Sequence, residues 1–201
     1  MLRTGIIGLG KMGISHCAII GAHPNVNLAS VCDTSTLVID AFKKYSRFEC
    51  FTDYKKMIDK MNLEAIIIAS PTKFHVEMVK YALEKNIHVF CEKPFALYPK
   101  EGKKLSQLAE QLSLVNQVGY HNRFIGTFNE VKKLLSSDVL GEIYHFSGES
   151  DGPIGLKEKG GTWRSEKDEG GGCLYDYASH TIDLINFLLG KPVKVAGTQL
   201  K

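Results

Sequence analysis

The stretch "TGIIGLGKMG", Thr4–Gly13, decides how this chain folds. Its first part, "TGIIGL" (4–9), reads as a strand. The residues that follow, "MGISHCAIIGA" (12–22), read as a helix that stops at "HPN". Between them Gly8, Gly10 and Gly13 fall in a G-x-G-x-x-G pattern. In a chain with 19 glycines the pattern alone is weak. Its place between a strand and a helix raises it. A dinucleotide needs a tight turn at Gly8, close approach of backbone to pyrophosphate at Gly10, and helix packed on strand at Gly13. The first helical amides, around Lys11 and Met12, then face the phosphates with the helix dipole behind them.

Downstream the same alternation repeats. Strands are expected at 26–32, 48–51, 64–70, 87–92 and 114–120, and helices at 36–46, 53–61, 73–86 and 99–113, with Thr72 able to cap the 73–86 helix. Runs such as "AIIIA" are apolar without alternation, as in strands covered on both faces. Right-handed crossovers turn this β-α order into an α/β, doubly wound parallel sheet of the Rossmann type, residues 1–120. Past about residue 121 the pattern changes. A helix is expected at 127–141, a half-solvated strand at 142–150, a long polar, glycine-rich loop at 151–172, a helix at 173–190 and a strand at 193–200. This second part, 121–201, holds too few strands to bury a core by itself and reads as an incomplete domain.

In such a sheet the ligand lies at the carboxyl ends of the strands. Asp33 ends the second strand, twenty positions beyond Gly13, where an acid binds the adenosine ribose hydroxyls. A turn residue or helix cap is the other reading of Asp33. A carboxylate there repels a 2′-phosphate, and Thr34 and Ser35 follow instead of an arginine, so NAD is expected over NADP. "SPTKFH" (70–75) follows the fourth strand; Ser70, Pro71, Thr72 and His75 are read either as lying under the cofactor or as a plain connecting loop. "EKP" (92–94) follows the fifth strand and brings Glu92 and Lys93 to the same edge. Glu92 is either paired with a neighbouring charge or a surface carboxylate.

A second site is read on the helix 173–190. Asp176, His180 and Asp183 stand at i, i+4 and i+7 and share one face, while most of the remaining circumference is apolar. Such a helix is largely buried, and its polar stripe faces something polar. Three readings stay open: a His180 oriented by Asp176 for catalysis, a structural Asp–His bond, or a metal site. The preceding "GGG" (170–172) favours the first, because glycines allow close approach. No third Cys or His stands near enough in sequence to complete a metal set, so no metal is expected.

The composition excludes other classes. The net charge of +3 gives no case for nucleic acid or a membrane surface, and no stretch is apolar for long enough to span a bilayer. The five cysteines form no C-x-x-C pair, which fits reduced thiols in a cytoplasm.

With the glycine turn, "CEKPFAL", "GYHNRF", "LGEI" and "GGGCLYDYASHTIDLINFLLG" in hand, the chain resembles the Gfo/Idh/MocA family of nicotinamide-dependent oxidoreductases over nearly its whole length. The resemblance implies a Rossmann domain followed by an α/β domain with an open antiparallel sheet that covers the substrate and forms a homo-oligomer interface. It implies hydride transfer between NAD and a secondary hydroxyl of a sugar, cyclitol or nucleotide sugar. It maps catalysis to Lys93, Asp176 and His180, and substrate contacts to these and to Arg123, Trp163 and Arg164. Two other readings are carried: an NAD-dependent glycosidase-type enzyme, and a non-catalytic dinucleotide-binding subunit. Family members run longer than 201 residues, so the chain is also read as a candidate fragment.

Overall fold

The computed structural model describes residues 1–150 and 170–197. Its first part alternates as the sequence predicts: β1 (Leu2–Ile7), α1 (Lys11–Gly21), β2 (Val26–Cys32), α2 (Thr36–Tyr45), β3 (Glu49–Phe51), α3 (Tyr54–Met61), β4 (Ala65–Ile68), α4 (His75–Glu84), β5 (His88–Cys91), α5 (Pro99–Gln111) and β6 (Asn116–Val118). All strand pairs are parallel, in the order β3-β2-β1-β4-β5-β6. The order reverses between β1 and β4. That reversal opens a crevice at the carboxyl ends of the strands, where such sheets bind ligands.

The apolar runs build the core because each central strand is covered twice. Ile66 and Ile68 of β4 and Val89 and Cys91 of β5 are buried, and Val79, Ala82 and Leu83 of α4 close over them. Ile6, Val31, Ile39 and Ile67 form a second cluster beneath α1 and α2. At roughly 25 cal/mol per Å² of apolar surface, burial of this kind dominates the stability of the sheet.

The second part differs from expectation. The helix read at 127–141 is α6 (Gly126–Ser136). The segment read as a strand at 142–150 joins no sheet, and neither do the described residues of the 193–200 segment. Alternation marks a two-faced segment, but a strand exists only with a neighbour that satisfies its N–H and C=O groups. No such neighbour exists among the described residues, and Tyr144 and Val193 stand in the open. The expected antiparallel sheet is therefore not present among the described residues. The helix expected over 173–190 is divided: a π-helical turn, Leu174–Ala178, precedes α7 (Ser179–Leu189), which ends on Gly190 at φ 88°. Single π turns are frequent at functional sites.

Candidate active site

The glycine turn has the geometry that a dinucleotide requires. Gly8 has φ 89°, and a Cβ there would lie 2.7 Å from the Ala69 carbonyl carbon and the Ser70 nitrogen. At Gly13 a Cβ would meet the Gly8 oxygen at 1.8 Å, so helix and turn touch backbone to backbone. Around Gly10 nothing lies within 4 Å of the corresponding position. Gly10 is also the N-cap of α1 and makes no side-chain cap bond. The first amides of α1 are thus uncapped beside open space, with Lys11 and Met12 exposed. That is the cradle a pyrophosphate needs, and the residues present fit a nicotinamide dinucleotide.

Asp33 lies at the edge of this cradle, and its carboxylate grips backbone. Oδ2 accepts from Leu9 N at 2.7 Å and Oδ1 from Ser35 N at 2.8 Å. Ser35, in turn, caps α2 through Val38 N. Asp33 therefore holds the glycine turn against the end of β2, and the turn-residue reading is realised; each oxygen retains a lone pair for a further donor.

The "SPTKFH" segment divides in two. Ser70 is half-buried and Pro71 exposed at the crevice. Thr72 is buried, 3% exposed, and begins a single 3-10 turn, Thr72–Phe74, ahead of α4; α4 has no side-chain cap, so Thr72 does not serve as one. His75, expected at the cofactor, is 1% exposed. Its Nδ1 lies 2.9 Å from the Pro94 carbonyl oxygen and its Nε2 2.8 Å from that of Ser70. Both ring nitrogens are spent on backbone, which leaves no polar atom for a ligand and corrects that expectation.

At the end of β5 the question of Glu92 resolves into a pair. His16 of α1 donates from Nε2 to Glu92 Oε1 at 2.7 Å, and the Lys93 amide donates to Oε2 at 3.2 Å. Burial raises the proton affinity of this carboxyl. The His16 bond and charge, with the Lys93 amide and ammonium, outweigh burial and bring the pKa below the ordinary glutamate value. The peptide between Lys93 and Pro94 is cis.

Lys93 points across the crevice to the π turn. Its Nζ donates to Asp176 Oδ1 at 2.9 Å and to the Asp176 carbonyl at 2.7 Å. Both side chains are mostly shielded, 16% and 15% exposed. Shielding makes the pair stronger than a surface ion pair. His180, one turn further, stands edge-on to Tyr120 and His121, with ring centroids 5.9 Å and 5.0 Å away. Its Nδ1 is buried without a hydrogen-bond partner, so Asp176 makes no bond to that nitrogen. Burial, and after it the charges of Lys93 and His121, push its pKa below the ordinary imidazole value, against the smaller pull of Glu92 and Asp176. The third member of the stripe, Asp183, takes a two-pronged bond from Arg123 Nε and Nη2. Arg123 is thereby engaged with α7 while its side chain stays 42% exposed. Trp163 and Arg164 lie outside the described residues.

Three partners escaped the sequence: His16, Tyr120 and His121. His121 stands in the quoted "GYHNRF", yet nothing in that string brings it to His180. Gly170, from the "GGG" run, seats against Thr72 and Leu97, where a Cβ would lie 2.8 Å from Leu97 Cδ2. Among the described residues no group of three or more His, Cys, Asp or Glu could hold a metal, and no helix is long and apolar enough to cross a membrane.

Residues 2–120 match the family model described as "Oxidoreductase family, NAD-binding Rossmann fold", and residues 128–200 match the "GFO/IDH/MocA C-terminal domain". D-glucoside 3-dehydrogenase of Escherichia coli is 29% identical over 193 residues, which cover 95% of this chain and 55% of that protein. The crystal structure of myo-inositol 2-dehydrogenase from Lactobacillus plantarum superposes with TM-score 0.83 at 30% identity, over 94% of this chain and 56% of that one. Scyllo-inositol dehydrogenase from Lactobacillus casei, solved with bound NAD(H) and scyllo-inositol, superposes with TM-score 0.79 at 26% identity, again over 94% and 56%. The chain spans about half the length of the curated relatives it matches.

Proposed function

The chain belongs to the Gfo/Idh/MocA oxidoreductase family, and from that premise we propose that it uses NAD to oxidise or reduce a secondary hydroxyl of a polyol or sugar. The observation that carries the reading is the Lys93–Asp176 contact. It brings the ammonium at the end of β5, beside the glycine turn, to the π turn that precedes His180. NAD, when bound, supplies the nicotinamide that exchanges hydride. The chain supplies the rest. The uncapped start of α1 holds the pyrophosphate. Asp33, a negative charge at the ribose end, favours NAD over NADP. His180, kept neutral near pH 7 by burial and adjacent positive charge, takes the hydroxyl proton in the oxidation direction. Lys93 stabilises the alkoxide that develops, as a fixed positive charge in a shielded site. Asp176 aims Lys93 from both its carboxylate and its carbonyl.

Calorimetric titration with NAD and NADP, followed by turnover on a panel of inositols, glucosides and nucleotide sugars, tests the proposal. Lys93→Ala and His180→Ala are expected to lower kcat by about 10²-fold or more with NAD affinity retained for the His180 variant. Wild-type kcat in either variant defeats the assignment, and equal affinity for both cofactors defeats the NAD preference.

A further inference from the structure

β4 and β5 run side by side until Ile68 pairs with Cys91, and the last ladder bond runs from Glu92 N to Ile68 O at 2.8 Å. Past that point the strands part, one into Ser70–Pro71 under the crevice, the other into Glu92–Lys93–Pro94. Carbonyls freed where strands diverge need new partners when they are buried. A single side chain reaches both. The His75 ring, 1% exposed, lies between the Ser70 and Pro94 carbonyls at 2.8 Å and 2.9 Å. Imidazole is suited to this task because it is short, rigid and carries a polar nitrogen at each side. As a cation it donates to both carbonyls; the neutral ring, the form that burial favours, donates to one only and gains no bond from the other. The other charged and hydroxyl groups of α4 pair elsewhere, Glu77 with Tyr54 and Lys55, Lys80 with Glu84 and Tyr81 with Asp59; Glu92 is the charge that His75 senses.

We propose that His75 is a positioning residue: it clasps the loop after β4 to the loop after β5, and so fixes where Lys93 stands relative to the cofactor floor. His75 touches neither substrate nor cofactor. It acts through Pro94, the residue bonded to Lys93, while His16 steadies the same segment from α1 through Glu92. The consequence for hydride transfer rests on the oxidoreductase reading above. The clasp itself does not.

Hydrogen exchange on the full 201-residue chain tests the clasp without any substrate. His75→Phe keeps the ring shape and removes both nitrogens, and His75→Gln keeps one donor. In either variant the segments around Ser70–Thr72 and Glu92–Ala96 are expected to exchange about tenfold faster together, the effect of one lost hydrogen bond, while β1 and β2 keep their protection. If the Phe variant does not fold, the Gln variant carries the comparison. Faster exchange in only one of the two segments, or equally throughout the sheet, overturns the proposal. Turnover supplies the functional arm: kcat is expected to fall about tenfold while KM for the polyol changes little, since Lys93 is misplaced and the pocket walls remain. If the wild-type chain turns over no polyol but the two loops loosen together, the oxidoreductase reading falls and the clasp stands. If the wild-type chain is active and the loops do not loosen together, the clasp falls alone.

Discussion

Every buried hydrophobic side chain among the described residues lies at or before Ala109. Beyond Tyr120 the chain reaches the first region by other means: Asp176 to Lys93, the Tyr175 hydroxyl to the Leu97 carbonyl at 3.2 Å, and His180 edge-on to Tyr120, while Asp183 ties α7 to Arg123 within the second region. The first region is built by burying apolar surface. The second is held by oriented polar contacts, and those contacts converge on the crevice. An apolar core tolerates small sliding, whereas a charge pair specifies direction. The region that bears on Lys93 and His180 is therefore the region where direction, not area, supplies the attachment.

Core truncation is the hardest test of that contrast. Ile68→Ala removes a fully buried side chain of β4 and is expected to cost about 3 kcal/mol in urea unfolding. Leu134→Ala in α6, where the side chain is 42% exposed, is expected to cost within about 0.5 kcal/mol. Comparable losses would break the comparison. A smaller effect sharpens it from the other side. Arg123→Met leaves the Asp183 carboxylate, 9% exposed, without its guanidinium. Because Arg123 itself is partly solvated, the expected cost is about 1–2 kcal/mol. Adding Asp183→Leu should recover most of it, since an apolar pair of similar size removes the stranded charge. No recovery in the double variant would show that α7 is held by something other than this pair.

The same contrast explains what could be read from the residues alone. The sheet was legible because unbroken apolar runs such as Ile66–Ile68 and glycines at fixed offsets are local signals, and local signals survive in one dimension. Lys93, Asp176 and His180 were legible through their motifs. The partner of Glu92 was not: His16 is 76 positions away, and only the sheet order, with β5 one strand removed from β1, brings α1 over it. His75 was misassigned because a histidine in a crevice loop and a histidine behind it look the same in sequence. Residues 142–150 alternate as a strand does, but pairing is a property of two segments, and they pair with no strand among the described residues.

Proton linkage is the mildest of the tests, and it reaches both regions at once. His75 in the first and His180 in the second both have pKa values below the ordinary 6.5, each chiefly because burial disfavours the cation. For His75 the carbonyls of Ser70 and Pro94 and the charge of Glu92 pull the other way and do not overcome burial. A histidine that is harder to protonate when folded means that the unfolded chain binds more protons between the two pKa values. Stability therefore rises with pH through that window, is complete above 6.5, and is lost as pH falls through the folded-state values. Melting temperatures measured at about pH 7.5 and about pH 5.5 should drop on acidification, and His180→Gln should remove part of the drop. If His180 is the base proposed above, the acid limb of kcat/KM should also lie below the ordinary histidine value, because an imidazole accepts a proton only when neutral. Lys93→Met, which removes the largest adjacent charge acting on His180, should shift that limb, or the His180 NMR titration where turnover is too slow, toward higher pH. An unchanged titration would show that the Lys93 ammonium does not set the proton affinity of His180, and that the Lys93–Asp176 attachment does not extend to it.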